Sequence, residues 1–516
     1  MNYSKKILKR ILPLIAVIVM AAGCKDYQDL NLEPVQSGEA DFSTYVAVGN
    51  SITAGFQSNA LYESAQRFSY PNLLARAMRL EDFEQPLISD PGIGDPGRIE
   101  LVNLQESITT FNTSQGKPIN TGIGRPYNNV GVPGIKIDAY LDGAPANPFY
   151  PLIVNSGTPT EPLPNIHQAL EILQPTLVTF WLGNNDVLGY VTSGGLISFT
   201  NPADFQTQYV SSITAIQNLE SDPTVVTVNI PSVSSIAFTT TVGPQFQATI
   251  ANNNQVPGIV VQKTFYEATP TIGAEENRQP AALIAKENLD NPDMALILLT
   301  GKDYLPYLGV SAFPQAPTYN QAAVEAILNY WRGYIVNAGL ATEEQAAALT
   351  QQQIEDMMTQ ITIGQYQQTF GSADAAVFAA NYPGFDFNQP FGLSPQNPFP
   401  NQFVLDSNEI SIANTVTGIF NSVIATQGDL QFDVNSFFNN IVEQGSYVTP
   451  SGLTLTPEIG SLFSLDGIHP SNQAHAVIAN KIIEVLNSGT GSNIERIDVS
   501  KIPQGIPVAS GAVVAN

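Results

Sequence analysis

The stretch Leu177-Val178-Thr179-Phe180-Trp181-Leu182, followed by a helical segment from about Asp204 to Leu219 and a second apolar run from Val225 to Ile230, decides the fold. Short β-branched and aromatic runs fill buried strands, and strands alternating with helices at this spacing predict a parallel sheet covered on both faces. Outward from it, Tyr45-Val46-Ala47-Val48 and Leu430 to Val434 are further runs of the same kind. Helices are expected over Tyr70 to Leu80, ending near Leu173, over Asn408 to Ile424 and over Asn472 to Leu486. In the last of these Ala474, Val477, Ile478, Ile482 and Val485 repeat along one face. These patterns give an α/β core.

Elsewhere the alternation weakens. Residues from about Asp82 to Asn128 are rich in Gly, Pro, Asn and Thr and read as loop. Residues 231–400 read as an insertion that forms a lid or cap, with a strand at Met294 to Leu299 and helices at Gln321 to Val336 and Thr342 to Met358. The segment Phe385 to Phe403 carries Phe385, Phe387, Phe391, Phe399 and Phe403 among prolines and is expected to be a long ordered loop. These rings suit apolar walls for a site, and additional core is the plainer use for them. The expected organisation is thus a leader over 1–23, a tether over 24–41, a core over 42–230 and 401–487, the insertion over 231–400, and a tail over 488–516.

The chain has 516 residues, 43% of them hydrophobic, which describes a folded globular body and not a disordered chain. Its formal charge of -25 repels phosphate backbones, so nucleic acid is excluded as a partner. At the amino end Lys5, Lys6, Lys9 and Arg10 precede the apolar run Ile11 to Ala22, a pattern that fits the hydrophobic part of a signal peptide. Cys24 is the single cysteine, so an intramolecular disulfide is impossible. Met20-Ala21-Ala22-Gly23-Cys24 resembles a bacterial lipobox, which implies a diacylglycerol group on Cys24 and a mature chain that starts there. The following Lys25-Asp26-Tyr27-Gln28-Asp29 resembles the export signal of Bacteroidetes-type lipoproteins, which implies an outer-membrane, surface-facing lipoprotein of the cell envelope. Several acyl chains at one terminus hold a protein stably at a membrane.

Two places carry the chemistry. Gly49-Asn50-Ser51-Ile52-Thr53-Ala54-Gly55 sets a hydroxyl where a strand runs out, between glycines that permit a tight backbone path. Asp466-Gly467-Ile468-His469-Pro470 offers an imidazole to take a serine proton and a carboxylate to hold its tautomer. Of the three histidines, His167 and His475 lie in helical stretches and read as structural, whereas Pro470 starts a helix just after His469. Gly183-Asn184-Asn185-Asp186 follows a strand end and brings the Asn185 amide toward the same edge. Asn128-Asn129-Val130-Gly131-Val132-Pro133-Gly134 offers a backbone N–H. Asp186 is read as structural. No H-E-x-x-H and no Cys/His cluster occurs, so neither metal nor cofactor is implied. Ile52-Thr53 in place of Ile-Gly rules out a G-x-S-x-G elbow.

These blocks, in this order, resemble the SGNH (GDSL-type) hydrolase family. Gly49-Asn50-Ser51 stands for its first block, Gly134 (or, less well, Gly131) for the second, Gly183 to Asp186 for the third and Asp466 to His469 for the last. The resemblance implies a flavodoxin-like three-layer α/β/α sandwich. It implies a triad of Ser51, Asp466 and His469, with an oxyanion hole from the Ser51 and Gly134 N–H groups and the Asn185 side chain. Hydrolysis of a carboxylic ester, lipid-like on the strength of the aromatic insertion, is the activity expected. A carbohydrate O-deacetylase of the same mechanism is the nearer alternative, and a noncatalytic lipoprotein that collects a ligand for an outer-membrane transporter the more distant one.

Overall fold

Five short strands build the central sheet: β1 (Tyr45–Gly49), β2 (Asn129–Gly131), β3 (Leu177–Trp181), β4 (Thr224–Val228) and β5 (Leu430–Phe432). They belong to a computed structural model that describes residues 35–103, 108–155, 162–251, 256–265 and 278–513. The leader and Cys24 lie outside the described residues. All neighbours in the sheet are parallel, in the order β2-β1-β3-β4-β5. Every residue of β1 and β3 is buried, as parallel strands covered on both faces require.

The helices that matter for the site are α1 (Ser51–Ala54), α2 (Tyr70–Ala77), α3 (Ile166–Leu173), α4 (Asn184–Thr192), α5 (Pro202–Gln217), α6 (Ser407–Ile424) and α7 (Asn472–Thr490). They form two packs: α2 lies on α7, while α3, α5, α6 and α4 contact one another in series. Phe205 of α5 stacks on Phe420 of α6 with centroids 3.9 Å apart, and both rings are fully buried. Among the described residues no helix is long and apolar enough to cross a membrane.

Several expectations need correction. The segment 82–128 is not all loop: Arg98–Asn103 and Ile108–Asn112 pair antiparallel, and Val508–Val513 pairs in parallel with Arg98–Asn103. β-branched Ile99, Val102, Ile108, Thr109 and Thr110 favour this, yet the third strand comes from the far end of the chain. Residues 488–513 are accordingly not a tail. Asn480 exchanges two hydrogen bonds with Ile497, and Asn487 does the same with Ile494, which straps the segment onto α7. Nor are residues 35–41 a free tether, since Glu39 N–H donates to the Thr490 carbonyl, and Ala40 is buried. The single helix expected over Thr342 to Met358 is two, Glu343–Ala347 and Gln351–Phe370. Each is started by a capping box, Thr342 with Gln345 and Thr350 with Gln353.

The insertion has its own hydrophobic core. Trp331 is fully buried at its centre, with Phe385 at 5.4 Å, Tyr330 at 4.7 Å and Phe387 stacked at 6.4 Å. Phe391, Phe399 and Phe403 complete it, so the five phenylalanines of the Pro-rich segment fill core. The two bodies join where Ala295–Ile297 pairs antiparallel with Val404–Asp406, after which Asp406 caps α6 in a box with Glu409. There burial, with the neighbouring Asp406 charge, pushes the Glu409 carboxyl well above the usual carboxylate range.

Trp331→Ala is expected to cost about 3–5 kcal/mol. Urea unfolding followed by circular dichroism checks this, and a loss below about 1 kcal/mol contradicts a close-packed second core.

Candidate active site

The carboxyl ends of β1, β2, β3 and β4 share one edge of the sheet, and the candidate groups gather there. Gly49 and Gly131 end the adjacent strands β1 and β2 in register with each other. A Cβ on Gly49 would strike Thr53, and one on Gly131 would strike Thr53 and the Ala54 backbone, so α1 seats directly on these strand ends only because both are glycine. Asn50 caps α1, its side-chain oxygen accepting from Ile52 N–H at 3.1 Å. Ser51 thereby falls in the first turn, buried but for 8% of its surface.

The opposite partner arrives on the loop before α7. Ser464 N–H donates to the His469 carbonyl at 2.8 Å, closing that loop, and Ser471 caps the helix after it. Asp466 Oδ1 accepts from Ile468 N–H and His469 N–H, each at 2.9 Å. Asp466 Oδ2 accepts from Asn59 N–H at 3.0 Å and from the His469 ring at Nδ1, 2.9 Å away. His469 Nε2 lies 2.8 Å from Ser51 Oγ. An ionised carboxylate only accepts, so the imidazole proton sits on Nδ1 and the bare Nε2 accepts from the serine hydroxyl.

Burial alone would raise the Asp466 carboxyl. The charge and hydrogen bond of His469, with backbone donors from His469 and Asn59, hold it down at about 2 instead. The carboxylate therefore stays ionised at neutral pH. Gly467 matters for close approach: its φ is +71° and a Cβ there would meet Phe238, whose N–H donates to the Gly467 carbonyl at 2.8 Å.

Asn185, at the start of α4, donates one N–H to the Ile135 carbonyl at 2.8 Å. A primary amide carries two N–H bonds, so a second donor remains for a ligand. That contact puts the 132–135 loop beside Asn185. Gly134 sits in this loop at φ +82°, and Asn147 Nδ2 steadies it by donating to the Pro133 carbonyl at 2.8 Å.

Ser51, His469 and Asn185 line one cleft of about 530 Å³, counting its open mouth. Gly134 is not among the lining residues. The walls are Ile52, Val187, Leu188, Val191, Ile230, Pro231, Val233, Ile236 and Ile468. None of the five phenylalanines between 385 and 403 reaches it, so the apolar walls come from α1, α4, the His469 loop and the stretch 230–236 that enters the insertion, contrary to expectation.

Asp186 behaves as structure. Its carboxyl group accepts from Ile137 N–H at 3.0 Å and from the Thr200 hydroxyl at 2.7 Å, tying the loop after Gly134 to α4. His475 is fully buried with Nδ1 accepting from Tyr70 N–H, and burial, with His469 nearby, pulls its ring down to about 3. His167 Nδ1 lies 2.9 Å from the Tyr140 hydroxyl.

Two residues escaped the sequence reading. Ser58 and Asn59 take left-handed φ values of 48° and 62°, aiming Ser58 N–H at Ser464 Oγ and Asn59 N–H at Asp466. The signal was modest, a Ser-Asn pair of the kind that tolerates this conformation. Comparison with protein-family models, curated proteins and solved structures finds no match for this chain.

Burial pushes the Asp186 carboxyl up to about 7 from its ordinary 3.8, against the hydrogen bonds from Thr200 and Ile137. A raised folded value means its contribution is fully present below about pH 4 and is lost as pH rises through about 7. Between about pH 5 and about pH 8 the urea midpoint is expected to fall more for the native chain than for Asp186→Asn. An equal change in both contradicts a buried proton at this position.

Proposed function

We propose that this chain is a serine ester hydrolase of the SGNH (GDSL) type. The observation that carries the reading is the unbroken chain Asp466 Oδ2, His469 Nδ1, His469 Nε2, Ser51 Oγ, with steps of 2.9 and 2.8 Å. The strand order, read as 2-1-3-4-5, supports a flavodoxin-like doubly wound architecture, and the two packs of helices support three layers.

In this mechanism Ser51 Oγ attacks the ester carbon as its proton passes to His469 Nε2, and Asp466 holds the ring and stabilises the imidazolium. The developing oxyanion takes the second Asn185 N–H together with the backbone N–H of Ser51, and the family resemblance adds the Gly134 N–H, from the loop that Asn185 holds at Ile135, as a third donor. His469 then returns the proton to the leaving alcohol, and water attacks the acyl-Ser51 ester by the reverse route. We further read Cys24 as a lipid-bearing mature amino terminus that places the enzyme at the cell envelope.

A fluorophosphonate probe is expected to label the native protein at Ser51 and to fail on Ser51→Ala. Absence of label on correctly folded native protein removes the hydrolase reading. Asn185→Ala is expected to lower kcat by about 10²–10³ while the fold, seen by circular dichroism, persists. An unchanged kcat takes Asn185 out of the oxyanion hole.

A further inference from the structure

We infer that the cleft beside Ser51 is a binding site for an unbranched, medium-length fatty acyl chain, and that the first turn of the insertion is its specificity-determining wall. The inference rests on the hydrolase reading above and narrows its substrate class. One side of the cleft is α4, presenting Val187, Leu188 and Val191, and the other is Ile230, Val233 and Ile236. Between Asn185 and Val191 the helix rises by about 9 Å, room for an acyl chain of roughly six to eight carbons.

The polar lining residues are Ser51, His469 and Asn185 with their sequence neighbours Asn50 and Asn184, and Ser232. The remaining polar lining residue, Ser232, is already engaged, its Oγ 2.9 Å from Ser234 Oγ and accepting from Ser234 N–H. A sugar pushed against Val187, Leu188, Val191, Val233 and Ile236 would bury hydroxyls without partners, whereas a methylene chain loses nothing there. An acetyl group would leave the whole length of the walls unfilled.

The far wall is also fixed relative to the chemistry. Phe238 N–H, two residues past Ile236, donates to the carbonyl of Gly467, inside the loop that carries Asp466 and His469. A chain lying against Val233 and Ile236 is therefore registered against His469 by a short, braced connection, and the insertion serves the site through this turn.

The test is kcat/KM for p-nitrophenyl esters of rising acyl length, the leaving group being constant so that only the acyl side varies. The native enzyme is expected to gain about fourfold per methylene until the walls are filled near octanoyl, and then to level off. Leu188→Trp, on a half-buried position, is expected to lower the octanoyl-to-acetyl ratio by more than about tenfold. Val233→Ala, which widens the opposite wall, is expected to move the optimum to longer chains. A native preference for acetyl overturns the inference, as does an unchanged acyl profile in both variants while hydrolysis and Ser51 labelling persist. If the native protein neither hydrolyses any ester nor takes the Ser51 probe, the hydrolase reading itself has failed.

Discussion

One largely shielded carboxylate, Asp466, organises the site. Asp466 is largely shielded from water and yet held ionised, and the donors that make this tolerable come from two places more than 400 residues apart in sequence: its own loop and the Ser58-Asn59 turn that follows Ser51. Hydrogen bonds to a charged group contribute about 1.5–3 kcal/mol each, and an unpaired buried charge costs several times that. The carboxylate thus compels the two loops to meet, and with them the serine on α1 and the imidazole before α7. Gln57 reinforces the seam by donating to Asn472 at the start of α7.

The sheet supplies the platform on which that meeting is possible. Parallel strands put their carboxyl ends on one edge, and the order β2-β1-β3 brings the loops after all three strands into one crevice although long stretches of chain separate them. The 132–135 loop, Asn185 and Ser51 each leave a different strand, and the Asn185–Ile135 contact binds two of these exits together. Asp186, one residue on, pins the same loop further along, so neighbouring side chains on α4 do different work: Asn185 at the cleft, Asp186 beneath it.

Much of this was legible in the sequence, for physical reasons. Buried parallel strands announce themselves as continuous apolar runs, and α7 by its spacing, so the α/β core could be read directly. Ser51, Asn185, Asp466 and His469 stand at strand ends or helix starts, where polar residues beside glycine or proline draw notice. Less was visible where the partner is remote. The strands at 98–112 depend on Val508–Val513, and the docked segments 35–41 and 493–502 depend on α7, which no local pattern reveals. The phenylalanines of 385–403 show the limit of composition: aromatic residues suit a cleft and a core equally, and only Trp331 and its neighbours decide for core. Thr350 shows a different one, since a capping box divides a helix that periodicity alone joins.

The arrangement turns on which nitrogen of His469 carries the proton, and nitrogen-15 NMR of the histidine rings reads this directly, helped by there being three histidines in the chain. At alkaline pH the His469 signals should show Nδ1 protonated and Nε2 bare, and replacing Asp466 by Asn should reverse the two. A native ring with its proton on Nε2, indifferent to that replacement, would contradict an ionised Asp466 orienting His469 toward Ser51.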